Sequence, residues 1–374
     1  MDSILKTNTS YITILVCSLT ILFGLTAQTQ TLKTIDILSD VVIPRSYIIY
    51  HTEDQIKIDG KADESAWMRI PFTESFIDIE GVKNPLFDTQ VKMLWSNSHL
   101  YIYAELEEPH IAANLTQHDT IIFFDKDFEV FIDPTDDTYQ YIEVEINALN
   151  TTWDLYLDKP YRNLGKALNA FEIKGFKSAI GIHGTLNDAS DADTMWTVEL
   201  AIPLDVALQV AHKGQKHIVD GDYWRMNFSR VHWDQKYVDG KYRRLRDKDG
   251  QLLKEYNWVW SNQKVINMHE PEKWGYVYFS TDRLPTMKKY GPDPLMHDKQ
   301  VAYACYRKTR QKEWKYLKKT SPGFRESFIP ILYDNFEYDI EFIKTNGGFE
   351  FVILNKSTGN QYAIDEMSYL KKIK

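Results

Sequence analysis

Two neighbouring stretches decide how this chain reads: Asp127-Phe128-Glu129-Val130-Phe131-Ile132-Asp133 and Tyr141-Ile142-Glu143-Val144-Glu145-Ile146-Asn147. In the first, Phe128, Val130 and Ile132 share one face, while Asp127, Glu129 and Asp133 take the other, with Phe131 interrupting. In the second, Ile142, Val144 and Ile146 alternate with Tyr141, Glu143, Glu145 and Asn147. A side-chain period of two marks half-buried strands. Carboxylates set side by side on one sheet face repel one another, so the pattern calls for something polar to answer them.

The surroundings of these strands bound the answer. The 374 residues leave room for one large domain and a smaller one. A hydrophobic share of 43% with 26% charged residues describes an ordinary globular chain. The 10 Trp and 23 Tyr favour strands and also supply flat faces for stacking on a ligand. A formal net charge of -9 argues against a nucleic-acid partner, which needs clustered Lys and Arg. The one basic run, Lys241 to Lys248, is interrupted by Asp247 and reads as a solvated loop.

Near the start, Lys6 precedes an apolar run from Ile12 to Leu25, followed by Thr26-Ala27-Gln28. This predicts an export signal over 1–27 with cleavage after Ala27; a retained membrane anchor is the alternative. Cys17 falls inside that signal and lacks the small preceding residue of a lipoprotein signal, so Cys305 would be the only cysteine of an exported chain. No later segment is apolar enough to span a bilayer. The expected destination is the periplasm, the cell surface or the medium.

Residues 28–46 are polar and Thr-rich and read as a tether. From Tyr47 onward, about ten short strand-like runs with turn signals between them predict an all-β fold, an antiparallel β-sandwich over 47–282. They include Val91–Trp95, Leu100–Leu106, Met195–Ile202, Tyr223–Arg230, Tyr256–Ser261 and Trp274–Phe279. Past Pro285 the texture changes. A helical spacing with a basic outer face runs from His297 to Lys319, followed by three strand candidates, the last two joined through Asn346-Gly347. Residues 283–374 therefore read as a small α+β appendage, with no role legible in its residues.

The strand Tyr223–Arg230 repeats the two-faced logic: Trp224, Met226 and Phe228 on the core side, Arg225 and Asn227 on the other. Trp258 and Trp260 point together from a later strand. Acids, an arginine, amides and aromatics on one face suit a sugar, with stacking for the ring and polar groups for the hydroxyls. The same residues equally make a buried polar network between the sheets, and the pattern alone leaves both readings open.

The chain resembles the family 9-like carbohydrate-binding modules, whose sandwich belongs with the wider DOMON-like group. Four stretches carry the resemblance: Ile58-Asp59-Gly60 with Ala66-Trp67; Val91-Lys92-Met93-Leu94-Trp95 with Leu100-Tyr101-Ile102; Asp127 to Asp133; and His269-Glu270-Pro271-Glu272-Lys273-Trp274-Gly275. It implies a β-sandwich that binds oligo- or polysaccharide without catalysis, in carbohydrate catabolism. By the same resemblance Glu129 is the glutamate that bonds sugar hydroxyls. The two platform tryptophans of the family fall on Phe123 and Phe124 and on Met268, and its arginine falls on Glu143. The expected site therefore has polar contacts from Glu129, Glu143, Glu145, Asn147, Arg225 and Asn227, with stacking from Phe123. Trp258, Trp260 or Trp95 would replace the missing platforms.

Three other chemistries have candidate residues. A glycoside hydrolase needs two carboxylates, and Glu129 with Glu143 or Glu145 would supply them. Calcium suits the oxygen-rich turn Asp133, Asp136 and Asp137, which is otherwise a solvated turn. A haem-binding electron carrier of the same sandwich group would use Met268 or His269 as axial ligand. The histidines show no metal-ligand spacing, and no other cofactor is expected.

Overall fold

The computed structural model describes residues 32–210, 217–286, 290 and 293–374. The expected export signal lies outside them. Fifteen strands form the larger unit. They are β1 (Ser46–His51), β2 (Ile77–Asp78), β3 (Thr89–Trp95), β4 (His99–Glu107) and β5 (Asp127–Asp133). Then come β6 (Tyr141–Asn147), β7 (Thr152–Leu157), β8 (Ala167–Leu168), β9 (Lys177–His183) and β10 (Met195–Pro203). The rest are β11 (Tyr223–His232), β12 (Gln235–Val238), β13 (Lys241–Arg244), β14 (Tyr256–Val259) and β15 (Gly275–Ser280).

All but β12 and β13 join one sheet, in the order β8-β7-β6-β5-β11-β15-β1-β3-β4-β10-β9, with β14 and β2 added at β11. The sheet curls over itself so that its two halves enclose one core, and the expected β-sandwich is present. Phe128, Val130, Ile132, Ile142, Val144, Ile146, Met226 and Phe228 pack from one layer against Val91, Met93, Ile102, Val198 and Leu200 from the other. The sheet is not purely antiparallel, because β1 runs parallel to both of its neighbours, β15 and β3. The basic run expected to be loop is partly strand, since Lys241–Arg244 closes a hairpin with Gln235–Val238.

The first family-like stretch is a structural lock. Gly60 sits at φ +83°, open to residues without a Cβ, and a Cβ there would collide with the backbone of Ile180 and Gly181. The amides of Asp59 and Gly60 donate to Glu199 at 2.9 and 3.0 Å, and the Trp67 indole N–H donates to its other oxygen at 3.2 Å. The buried carboxylate thus ties this turn and the short helix α1 (Ser65–Met68) to β10. A second short helix, α2 (Leu204–Val210), follows β10.

The C-terminal unit holds more strands than the sequence suggests: β16 (Arg325–Ser327), β17 (Ile331–Tyr333), β18 (Phe336–Lys344), β19 (Phe349–Asn355), β20 (Gln361–Asp365) and β21 (Leu370–Lys372). They form a six-stranded antiparallel sheet. One face of it packs on α3 (Met296–Lys308), which is shorter than the expected helix and gives way to 3-10 turns at Lys312–Trp314 and Leu317–Lys319. The tether reading fails for residues 32–46. Ile35, Ile37 and Val41 are buried in the C-terminal core, and Lys33 bridges Phe328. Their spacing among polar residues hid three core side chains.

The basic face of α3, expected in solvent, is an interface. Lys299 meets Asp136 and Asp293 at 2.6 Å each, and Arg307 meets Glu272 at 3.0 Å. Arg162 from the larger unit bridges Glu270 at 2.9 Å and Glu272 at 2.8 Å, and Arg310 closes on Glu270 at 2.9 Å. The C-terminal unit is therefore docked through buried, mutually paired charges rather than appended. Among the described residues no helix is long and apolar enough to cross a membrane.

Candidate functional site

Strand register builds the site. Glu129 on β5 lies opposite Glu145 on β6 and Ser229 on β11, and Glu145 lies opposite Trp153 on β7. One row along, Phe131 lies opposite Glu143 and Asn227, and Glu143 opposite Leu155. Directly paired residues share a face, so one sheet face carries Glu129, Glu145, Glu143, Phe131, Trp153 and Leu155. Phe131 belongs with the acids because the alternation of β5 is strict.

Over these rows lies an open cleft of about 240 Å³. Its floor is Glu129, Glu143 and Glu145. Its walls are Phe123, Trp153 and Tyr161, with Asn257 and the loop Ile266–His269 closing it. The Phe123 amide donates to Glu145 at 3.0 Å, which fixes that wall to the floor. Tyr141 and His269 share a hydrogen bond of 2.8 Å at Nδ1, and the Tyr161 ring meets the His269 ring edge-on at 4.4 Å. Arg162 donates to the His269 carbonyl at 3.2 Å, so the ion pairs of the docked unit also brace this wall.

The electrostatics of the floor are unusual. Burial pushes Glu129 up to about 7, opposed by the Ser229 hydroxyl. Burial and then the Glu129 charge hold Glu143 well above the ordinary carboxylate range. Burial and the charges of Glu129, Asp127 and Glu143 do the same for Glu145. Asp127, behind them, is raised by burial and by Glu129. The Glu143 Oε2 and Asp127 Oδ2 atoms are buried without a hydrogen bond, as is the Trp153 indole N–H. His269 supplies no compensating charge, because burial and the nearby Arg162 push its imidazole down to about 3.

Four of the expected site residues, Phe123, Glu129, Glu143 and Glu145, come together here. Five do not. Trp258 and Trp260 are buried in the core: Val259 lies opposite Ser229 on the cleft side, so its two neighbours point inward. The Trp260 ring packs so tightly on Gly275 that a Cβ there would overlap it, which explains the Trp274-Gly275 pair. Trp95 is also core, its indole N–H donating to the Ser280 carbonyl at 2.8 Å. Arg225 does not answer the cleft acids. It meets Asp136 at 2.7 Å, donates to the carbonyls of Glu272 and Trp274, and stacks over Tyr276. Asn227 is tied to Ser261 through both its amide atoms, and Asn147 to Leu115, Asp125 and the turn Leu149–Thr151.

The calcium reading also fails at its proposed turn. Asp133 accepts from the amides of Thr135, Asp136 and Thr138, and Asp136 is held by Arg225 and Lys299. Their oxygens are already answered by donors of the chain. Oxygens close enough to share an ion lie instead on Asp127, Glu129 and Glu145, and beside His118 on Asp119, Asp154 and Glu172. Met268 and His269, the expected haem ligands, both stand on one wall of the cleft. Sequence reasoning missed Trp153 and Tyr161. The alternation of Trp153 with Leu155 on a strand beside Glu145 was the available signal for the first.

A family model described as Carbohydrate family 9 binding domain-like matches residues 58–280, and the chain belongs to this family. Among solved structures, it is similar to a carbohydrate-binding module of family 9 from Caldicellulosiruptor kristjanssonii in complex with glucose. That likeness has 15% identity and a TM-score of 0.41, over 66% of this chain and 100% of that one. The same module in complex with cellotriose gives 15% and 0.41, over 66% and 99%. A Bacteroides uniformis ATCC 8492 protein provisionally described as carbohydrate-binding gives 14% and 0.43, over 63% and 99%. No curated protein matches the chain.

Proposed function

We propose that the protein binds carbohydrate without catalysis, through the cleft on β5, β6 and β7. One observation carries the reading. In the part of the chain that belongs to the family, aromatic side chains and hydrogen-bonding acids converge on one open cleft. A sugar's apolar face stacks on Phe123, Trp153 or Tyr161, and its hydroxyls donate to Glu129, Glu143 and Glu145. Export through the signal at 1–27 and a place in carbohydrate catabolism belong to the same proposal. Protein sequencing of the mature chain, expected to begin at Gln28, tests the export part.

A glycan array tests the main claim: retention of at least one glycan without new reducing ends is expected. A hydrolase reading would draw on Glu129, whose raised pKa suits a general acid. Release of new reducing ends would replace binding with hydrolysis, and retention of nothing would overturn both.

A further inference from the structure

Resting on the carbohydrate-binding reading, we infer that the cleft selects a sugar bearing a protonated amine, a deacetylated amino sugar, over neutral or acidic sugars. Among the described residues, four acids line the cleft, Glu129, Glu143, Glu145 and Glu255, and no Lys or Arg does. The cations nearby are already engaged. Arg162 is held by Glu270 and Glu272, and Arg225 by Asp136. The one imidazole in the lining is kept neutral.

The floor is short of donors as well as of positive charge: the Phe123 amide reaches Glu145, but Glu143 has an oxygen that nothing reaches. Glu143 is 4% exposed, and its Oε2 has no hydrogen bond; the nearest cationic candidate, His269 Nε2, stands 3.9 Å away. Asp127 is fully buried with Oδ2 equally unpartnered, and one oxygen each from Asp127, Glu129 and Glu145 lie within 4.8 Å of one another. A buried acceptor without a donor is costly. An ammonium brings three N–H donors, no acceptor and a positive charge. A hydroxyl brings one donor with two lone pairs that would face carboxylate oxygens, and an N-acetyl group brings a single N–H. A uronate's carboxylate brings acceptors and no donor. The walls fit the same group, since Phe123, Trp153 and Tyr161 offer π faces to a cation as well as to a pyranose ring.

The test is calorimetric titration of the full chain, with a chelator present, against three sets of short oligosaccharides: deacetylated chitosan, its N-acetylated counterpart and cello-oligosaccharides. At pH 6 the deacetylated set is expected to bind at least about tenfold tighter than either other set, with affinity falling as salt is added. Binding should also release protons from the floor acids, so the measured heat should change with the ionisation heat of the buffer. Glu143→Gln keeps the shape of the floor and is expected to move the ratio of affinities towards one. Equal or weaker binding of the deacetylated set, or a preference that Glu143→Gln leaves intact, overturns the inference while the carbohydrate reading stands. Calcium chloride alone, if it saturates the protein at micromolar concentration and abolishes the amine preference, overturns it in favour of a metal site. Failure of all three sets to bind counts against both the inference and the carbohydrate reading.

Discussion

Two groups of buried acids lie close together in this molecule, and they are treated in opposite ways. At the seam with the C-terminal unit, Glu270, Glu272 and Asp136 each meet at least two cations. In the cleft, Glu129, Glu143 and Glu145 meet none among the described residues, although β5 and β6 supply these acids and the turn between them supplies Asp136. Paired acids hold a fold together. Unpaired acids, buried beside one another, weaken it, and they persist where something outside the chain completes them. The seam therefore reads as structure and the cleft as a site.

Breaking a seam pair should show the largest effect. Glu272→Ala leaves Arg162 and Arg307 facing each other without their shared partner, and a loss of about 3–5 kcal/mol is expected for a buried pair broken on one side. Urea unfolding measures it, and a loss under about 1 kcal/mol would remove the seam's claim to a structural role. Nearly as large, Trp258→Ala should destabilise by about 3–5 kcal/mol through its cavity, while glycan affinity of the folded fraction stays as in the wild type. Reduced affinity with intact stability would return Trp258 to the binding face.

The pH dependence sharpens the contrast. The folded-state pKa of Glu129 is raised to about 7 from a usual value near 4.5. Between those values the unfolded chain holds fewer protons than the folded one at this group, so its contribution to stability falls as pH rises from about 4.5 through 7. Glu272 and Asp136 are shifted down, Glu272 by Arg162 and Arg307 and Asp136 by Arg225 and Lys299 against the opposing effect of burial. Their contribution is present above the ordinary carboxylate value and is lost on acidification below it. Thermal unfolding followed across pH should thus peak near pH 5, and Glu129→Gln should flatten the alkaline side by an amount on the order of 1–3 kcal/mol. An unchanged profile in Glu129→Gln would mean that the cleft acids are not strained. Smallest in energy, Phe123→Ala should weaken glycan binding by about 1 kcal/mol, a loss of one stacking contact, with little change in stability because the ring is only half-buried.

Much of this was legible in the sequence, for a definite reason. A period of two fixes which residues share a face, so the acid rows of β5 and β6 could be read from Asp127–Asp133 and Tyr141–Asn147 directly. What the period leaves undetermined is which face is the core, and an error of one residue inverts every assignment. Trp258 and Trp260 were correctly placed on one face together, and that face is the interior. Arg225 was correctly set on the acid face but at its far end, where Asp133 is its neighbour rather than Glu129. The seam was beyond local pattern altogether. Its pairs join residues far apart in the chain, such as Arg162 with Glu272, and the basic face of α3 looks the same whether it meets water or Glu272.

The division between seam and cleft can be put to one measurement: Glu143→Gln examined in parallel for thermal stability at pH 7.5 and for titration with the tightest-binding glycan of the wild type. Equal or higher stability with at least about tenfold weaker binding is expected, because the carboxylate strains the fold and serves the ligand. Undiminished binding, or a fall in stability like that of Glu272→Ala, would contradict the account.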